Sequence, residues 1–186
     1  MYFVIQIADK CLLEQIALVM QSEHKISKRV HKKDHSVFYR LQIGSKDIIA
    51  DLEQLGGIPG KTHRMKLPDI PSDFFGTFVR GYFDGDGNVW VGEIHKNRKK
   101  QLLVIQTCFT SCSQDFLLNL QRRLLLYGVY GSCYERKKQN VFRLQYSVKS
   151  SILLFQLMYK TTSNGLFLDR KKKVFKKYLL QAQLRS

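Results

Sequence analysis

The stretch "FVRGYFDGDGNVW", residues 78–90, decides how the chain is read, because two aspartates and three glycines close what is otherwise an apolar helix. Phe75, Val79 and Phe83 recur every four residues and give that helix one apolar face, with Ser72 or Asp73 after Pro71 as its expected cap. Gly81 and Gly85 are also four apart. Each glycine costs about 0.5–1 kcal/mol relative to alanine inside a helix, so a shared spacing points to a face that another backbone approaches closely. Gly87 is expected in the left-handed conformation that stops the helix, leaving Asp86 on its last turn. The end of a helix carries partial negative charge, so a carboxylate there gains nothing for stability alone, and a divalent cation would reverse the sign. Asp86 with the carbonyl of Gly85 offers the hard oxygens that Mg²⁺ prefers. The alternative at this point is a plain turn, since Asp, Gly and Asn dominate turns. An EF-hand is excluded by its ligand spacing and terminal Glu, which are absent.

Around this stretch the chain repeats itself. "FYRLQIGSKDI" (38–48) aligns with "VFRLQYSVKSS" (141–151), pairing Arg40 with Arg143, Gln42 with Gln145 and Lys46 with Lys149, each at an offset of 103. Upstream, "CLLEQIALVM" (11–20) corresponds more loosely to "FLLNLQRRLL" (116–125). Periodicity predicts, for the second copy, helix 72–85, strands 88–96 and 101–110, helix 114–127, strands 129–136 and 140–147, helix 150–159 and a basic helix over 165–182. This is an α-β-β-α-β-β-α order. The first copy starts in the strand "YFVIQIA", continues through strands near 24–31 and 36–44 and a helix at 46–55, and lacks the opening helix and first strand. The expected organisation is a truncated first repeat at 1–58, a linker at 59–71 and a complete second repeat at 72–186. All three prolines lie in "GGIPGKTHRMKLPDIPSD" (56–73), which reads as an ordered linker. Its "GGIPGKT" mimics a phosphate-binding loop, but the position that must be glycine is Leu55.

Bulk properties restrict the partner. The 186 residues are 44% hydrophobic, enough for a core, and carry a net charge of +16, which favours a polyanion. Nucleic acid is the first candidate. A membrane surface ranks below it, because the basic residues are spread over short segments, and nowhere do about 18 apolar residues run together. Without a secretory leader the expected location is the cytosol, or an organellar matrix if organelle-encoded. Cys11, Cys108, Cys112 and Cys133 show neither zinc nor disulfide spacing, and the five histidines suggest no zinc or HNH-type centre.

"VRGYFDGDG" (79–87) resembles the LAGLIDADG motif, and the α-β-β-α-β-β-α unit that follows it is similar to the homing-endonuclease fold of that family. "LGGIPGKTHRMKLPDIPSDFFGTFVRGYFDGDGNV" resembles the junction and second motif of two-repeat members, and "LFLDRKKKVF" their terminal helix. The resemblance covers essentially the whole chain. It implies an α+β protein of tandem αββαββα repeats that lays antiparallel sheets on double-stranded DNA and cleaves phosphodiesters with Mg²⁺ or Mn²⁺. Asp86 would be the metal-binding acid, Gly85 a carbonyl contributor, Gly81 and Gly85 the packing positions of paired motif helices, and Asp84 an orienting neighbour. Lys149, placed at the end of the fourth strand, resembles the active-site lysine that stabilises charge on the attacked phosphate, with Lys46 its counterpart in the first copy.

The first motif helix, and with it a second motif acid, is missing from this sequence. A second Asp86 could come from a homodimer through the 72–86 helix; nicking of one strand, DNA binding without cleavage and a decayed reading frame are the other outcomes. An intron-RNA maturase or a transcription regulator on the same scaffold is the alternative function, and an intron, an intein or a free-standing gene is the expected host of such a mobile element.

On the sheet, Glu93, His95, Gln106 and Thr110 are expected toward DNA, with Trp90, Ile94, Leu103 and Ile105 packed behind. Arg143 with Gln145, and Arg40 with Gln42, share faces and suit guanine and adenine edges. Basic clusters at turns, "HKNRKK" (95–100, with Arg98 and Lys99) and "ERKKQ" (135–139, with Lys137 and Lys138), suit phosphates, as do "KRVHKK" (28–33) and "DRKKK" (169–173).

Overall fold

The computed structural model describes residues 2–57, 65–94, 101–160 and 165–184. By its internal contacts the chain divides into two compact units, Met1–Ile58 with Thr162–Leu168, and Pro59–Thr161 with Asp169–Ser186. His95, Arg98 and Lys99, and residues 58–64 of the proline-bearing junction, lie outside the described residues.

In the first unit the order is β1 (Phe3–Ile7), α1 (Lys10–Val19), β2 (Ser27–Val30), β3 (Val37–Ile43) and α2 (Lys46–Gln54), with an antiparallel sheet ordered β1-β3-β2. Strand alternation decides what is buried. Phe3, Ile5 and Ile7 face Ile43, Leu41 and Tyr39 across the ladder, and α1 lays Leu13 and Ala17 on that side. Asp9 and Ser45 cap α1 and α2 through their side chains, accepting from the amides of Leu12 (3.1 Å) and Ile48 (3.2 Å).

In the second unit the order is α3 (Ser72–Asp86), β4 (Gly87–Ile94), β5 (Leu102–Ser111), α4 (Gln114–Leu125), β6 (Gly131–Arg136), β7 (Val141–Tyr146), α5 (Val148–Tyr159) and α6 (Asp169–Gln183). The sheet runs β4-β5-β7-β6, all antiparallel. Removing β4 leaves β5-β7-β6, the same order as β1-β3-β2. The internal repeat is therefore topological as well as sequential. Ser113 occupies the place of Asp9, accepting from the Phe116 amide at 3.2 Å to start α4.

The core of this unit is aromatic. Phe75, Val79 and Phe83 of α3 are fully buried, as their spacing predicts, with Ile105, Phe109, Leu144 and Tyr146 from the sheet and Phe116, Leu120 and Leu124 from α4. Phe83 meets Phe109 edge-on at 6.0 Å and Phe175 of α6 at 5.8 Å. Among the described residues no helix is long and apolar enough to cross a membrane.

Two expectations about α3 are corrected. Its N-cap is Pro71, with no side-chain cap bond from Ser72 or Asp73. Gly87 is extended (φ −90°, ψ 159°), because the chain passes directly from α3 into β4 without the left-handed turn. Glycine is still required there, since a Cβ would lie 2.6 Å from the Phe83 carbonyl oxygen and run into the Phe83 ring.

The close helix approach inside this unit occurs at Gly76, where a Cβ would stand 2.5 Å from the Leu157 carbonyl oxygen of α5, whereas a Cβ at Gly81 or Gly85 meets nothing within 4 Å. Gly76→Ala should therefore lower stability by about 1–3 kcal/mol through overpacking, despite alanine's helix propensity. Gly81→Ala should raise it by about 0.5–1 kcal/mol. Denaturant midpoints of the two variants check the pair, and a stabilised Gly76→Ala would refute the close packing of α3 on α5.

Candidate functional site

Asp86 is the last residue of α3, and both it and Gly85 are exposed. The negative end of the helix beneath them is met by a lysine that the sequence pattern did not single out. Lys171 of α6 is 7% exposed and donates from Nζ to the carbonyls of Phe83 (2.6 Å), Asp84 (2.9 Å) and Gly87 (2.7 Å), with the Phe83 ring 4.9 Å away. An ammonium has three donors, and here all three are used. The cation also complements the dipole at the C-terminus of α3. Burial lowers the Lys171 pKa to about 8, while the charges of Asp84 and Asp86 act to raise it.

Asp84 sits below, half-buried, among other charged and phenolic groups. Arg80 is fully buried on the previous turn and donates to the Met158 carbonyl at 3.1 Å. Burial depresses its pKa, and Asp84 opposes that shift. Burial raises the pKa of Tyr159, and Asp84 raises it further. Asp84 thus belongs to the support of the helix end. Tyr82 packs against Phe116 at 4.6 Å and donates to the Thr110 carbonyl at 2.7 Å; burial pushes its pKa up, with a smaller push from Asp86.

Whether these residues fit a metal follows from the donor set. Among the described residues no group of three or more His, Cys, Asp or Glu could hold an ion. Mg²⁺ does not need such a group, since it is commonly held by one or two carboxylates together with water and substrate phosphate. The exposed Asp86 carboxylate, with the Gly85 carbonyl next in the chain, fits a site of that type.

The sheet of the second unit has one face on the helices and one open. Direct partners across an antiparallel ladder share a face, so the register assigns Trp90, Gln106, Thr110, Arg143 and Gln145 to the open side, with Tyr134 and Arg136 of β6. Tyr134 donates to Gln145 at 2.7 Å, and Gln145 donates to Gln106 at 3.2 Å. A polar chain thus crosses three strands. Arg143 has a buried Nε without a hydrogen-bond partner, and so does Arg40 at the equivalent place in the first sheet. Arg40 and Gln42 share the open side of their own sheet with Gln6 and Val4.

The expected division of faces is corrected at three residues. Glu93 pairs with Leu103 and lies on the helix side with Ile105, while Trp90 and Ile94 lie on the open side. Alternation fixes which residues go together along a strand; only register and packing decide which set is covered. Lys149 is in the first turn of α5, beyond the end of β7, and is exposed; Lys46 likewise begins α2 and is exposed. Lys137 and Lys138 form an exposed 3-10 turn between β6 and β7, closed by Asn140 in the left-handed region. Nothing local in "DRKKKVFKK" marks Lys171, because a run of like charges does not reveal which member is buried.

Residues 74–158 match a LAGLIDADG-like domain. In amino-acid sequence the chain is 25% identical over 126 residues to the replication factor C small subunit of Methanocaldococcus jannaschii. It is 32% identical over 82 residues to that organism's probable translation initiation factor IF-2. These segments are 67% and 42% of this chain and 6% of either relative, so the chain spans a small part of their length. Among solved structures it is similar to the LAGLIDADG meganuclease I-AabMI bound to uncleaved DNA (TM-score 0.60, 17% identity, 99% of this chain and 81% of that one). It is also similar to I-SmaMI bound to an uncleaved DNA target with calcium ions (0.63, 11%, 99% and 80%) and to the I-LtrWI homing endonuclease bound to target DNA (0.61, 14%, 99% and 79%). Motif helix, sheet order and these likenesses agree: residues 74–158 carry a LAGLIDADG-like domain, and the chain has the fold of the LAGLIDADG homing endonucleases.

Proposed function

We propose that this protein binds double-stranded DNA at a preferred sequence and cleaves it with a divalent cation, Mg²⁺ or Mn²⁺. The observation that carries this reading is the exposed Asp86 carboxylate at the end of α3, beside the buried Lys171, at the root of a sheet whose other face presents Arg143, Gln145, Gln106 and Trp90. Asp86 and the Gly85 carbonyl would hold the cation, which would supply charge neutralisation at the scissile phosphate. Lys171, lowered by burial to a pKa of about 8 and still largely protonated at neutral pH, holds the helix end and supplies positive charge next to the phosphate. Lys149 and Lys46 would contact phosphates from the first turns of their helices, as would Lys137 and Lys138 from their turn. Residues 1–58 and 72–186 are read as two repeats joined by 59–71.

Two differently named relatives, each matching over 6% of its own length, support a further reading, that the shared segment is an inserted, mobile element such as an intein endonuclease. The second functional reading is a nucleic-acid binder without cleavage, including an RNA-binding maturase. It needs only the polar open face of the sheet and the net charge of +16, and not Asp86. A partner carrying a second acid would engage the exposed Gly81 and Gly85 face of α3, which nothing in its own unit fills.

Selection from a randomised duplex library, followed by incubation of the selected duplexes with Mg²⁺, tests the proposal. Cutting by the wild type that is lost in Asp86→Asn, with binding retained, is the expected result; equal cutting by the mutant would remove Asp86 from the chemistry. Lys149→Ala should slow cleavage and weaken binding modestly. Lys171→Met should cost about 3 kcal/mol of stability, because three carbonyls lose a charged donor, and should reduce cleavage below the loss explained by unfolding. If about six to eight basic residues neutralise phosphates, affinity should fall by roughly 10³–10⁵ between about 50 and 200 mM salt. A flat salt profile would exclude a phosphate-contacting interface.

A further inference from the structure

Trp90 stands on the open face of the second sheet and is 47% exposed, although it is the chain's one tryptophan. Its indole is not waving free. A Cβ added at Gly92, two residues on along the same face, would lie 2.6 Å from Cη2 and 3.0 Å from Cε2 of that ring. The six-membered ring therefore occupies the space that a side chain at Gly92 would take. Val104, the cross-strand partner of Gly92, is 6% exposed on this otherwise open side, as expected beneath a ring lying across the strand pair. The neighbours of the indole are polar: Trp90 is directly opposite Gln106, whose side-chain oxygen accepts from Gln145, which in turn accepts from Tyr134.

A rigid apolar plate next to a preset row of amides has a defined counterpart in a major groove. The edges of guanine, cytosine and adenine offer hydrogen-bonding atoms, and only thymine adds a methyl group. Gln106 and Gln145 suit the polar edges; the indole suits the methyl. Holding the ring against Gly92 removes most of its rotational freedom before binding, so little ordering cost is added on contact. We propose that Trp90, seated on Gly92, is a specificity-determining residue that recognises the 5-methyl group of one thymine in the bound duplex. This rests on the DNA-binding reading above and adds the base feature that this part of the sheet selects.

The test uses the full chain and its library-selected duplex, with thymines replaced one at a time by deoxyuridine, which removes the methyl and keeps the base pair. Wild-type protein should lose about three- to tenfold in affinity at one thymine, the value of roughly one buried methyl. Trp90→Ala should bind the thymine and uracil duplexes equally. Gly92→Ala, which retains the indole but displaces it, should also lose the discrimination, and Trp90→Phe should restore part of it. The inference is overturned if wild type binds its selected duplex but is indifferent to uracil at every thymine, as stacking on an unpaired base would predict. It is equally overturned if Trp90→Ala keeps the methyl preference. Those outcomes leave DNA recognition by the sheet intact, whereas failure to select any duplex overturns both.

Discussion

The ammonium of Lys171 inside the C-terminal end of α3 is the contact on which the rest of the second unit depends. An α-helix ends with carbonyls that have no partner in the helix, and α3 ends where the chain must turn at once into β4. Lys171 gathers the carbonyls of Phe83, Asp84 and Gly87 in one set of hydrogen bonds, so helix and strand are joined through a residue of α6. The joint fixes both faces of the site: Asp86 emerges from the last turn, and Gly87 opens the strand that carries Trp90.

This placement has an electrostatic consequence. A carboxylate at a helix C-terminus is held against the dipole, and the sequence reading offers a divalent cation to offset it. The structure provides a second positive charge, close enough for Asp86 and Asp84 to raise the lysine's proton affinity against the effect of burial. Beneath it, Arg80 and Tyr159 are buried close enough to Asp84 for its charge to act on both.

The sheet divides its labour in a similar way. Its helix side is hydrophobic and aromatic, with Phe109 edge-on to Phe83 and Tyr146. Its open side mixes amides, arginines and one indole packed over a glycine. The three strands of the first unit keep the order of β5, β7 and β6 and the same Arg and Gln positions.

By itself the sequence determined the class of the fold, the internal repeat and the place of Asp86 at the end of α3. Period-two and period-four apolar spacing place every described strand and helix within a few residues, because burial of one face is a local constraint that leaves a local mark. The 103-residue offset identifies equivalent strands because both copies solve the same packing problem. Only tertiary structure decided which face of β4 is covered, since Glu93 and Trp90 alternate and a shift of one residue exchanges them. It also decided which lysine is special. Six of the nine residues in "DRKKKVFKK" are basic, and nothing local distinguishes Lys171 from its neighbours. Its role arises because the turn of α6 that carries it packs against the end of a helix 84–88 residues away in the chain, where three carbonyls wait for a donor.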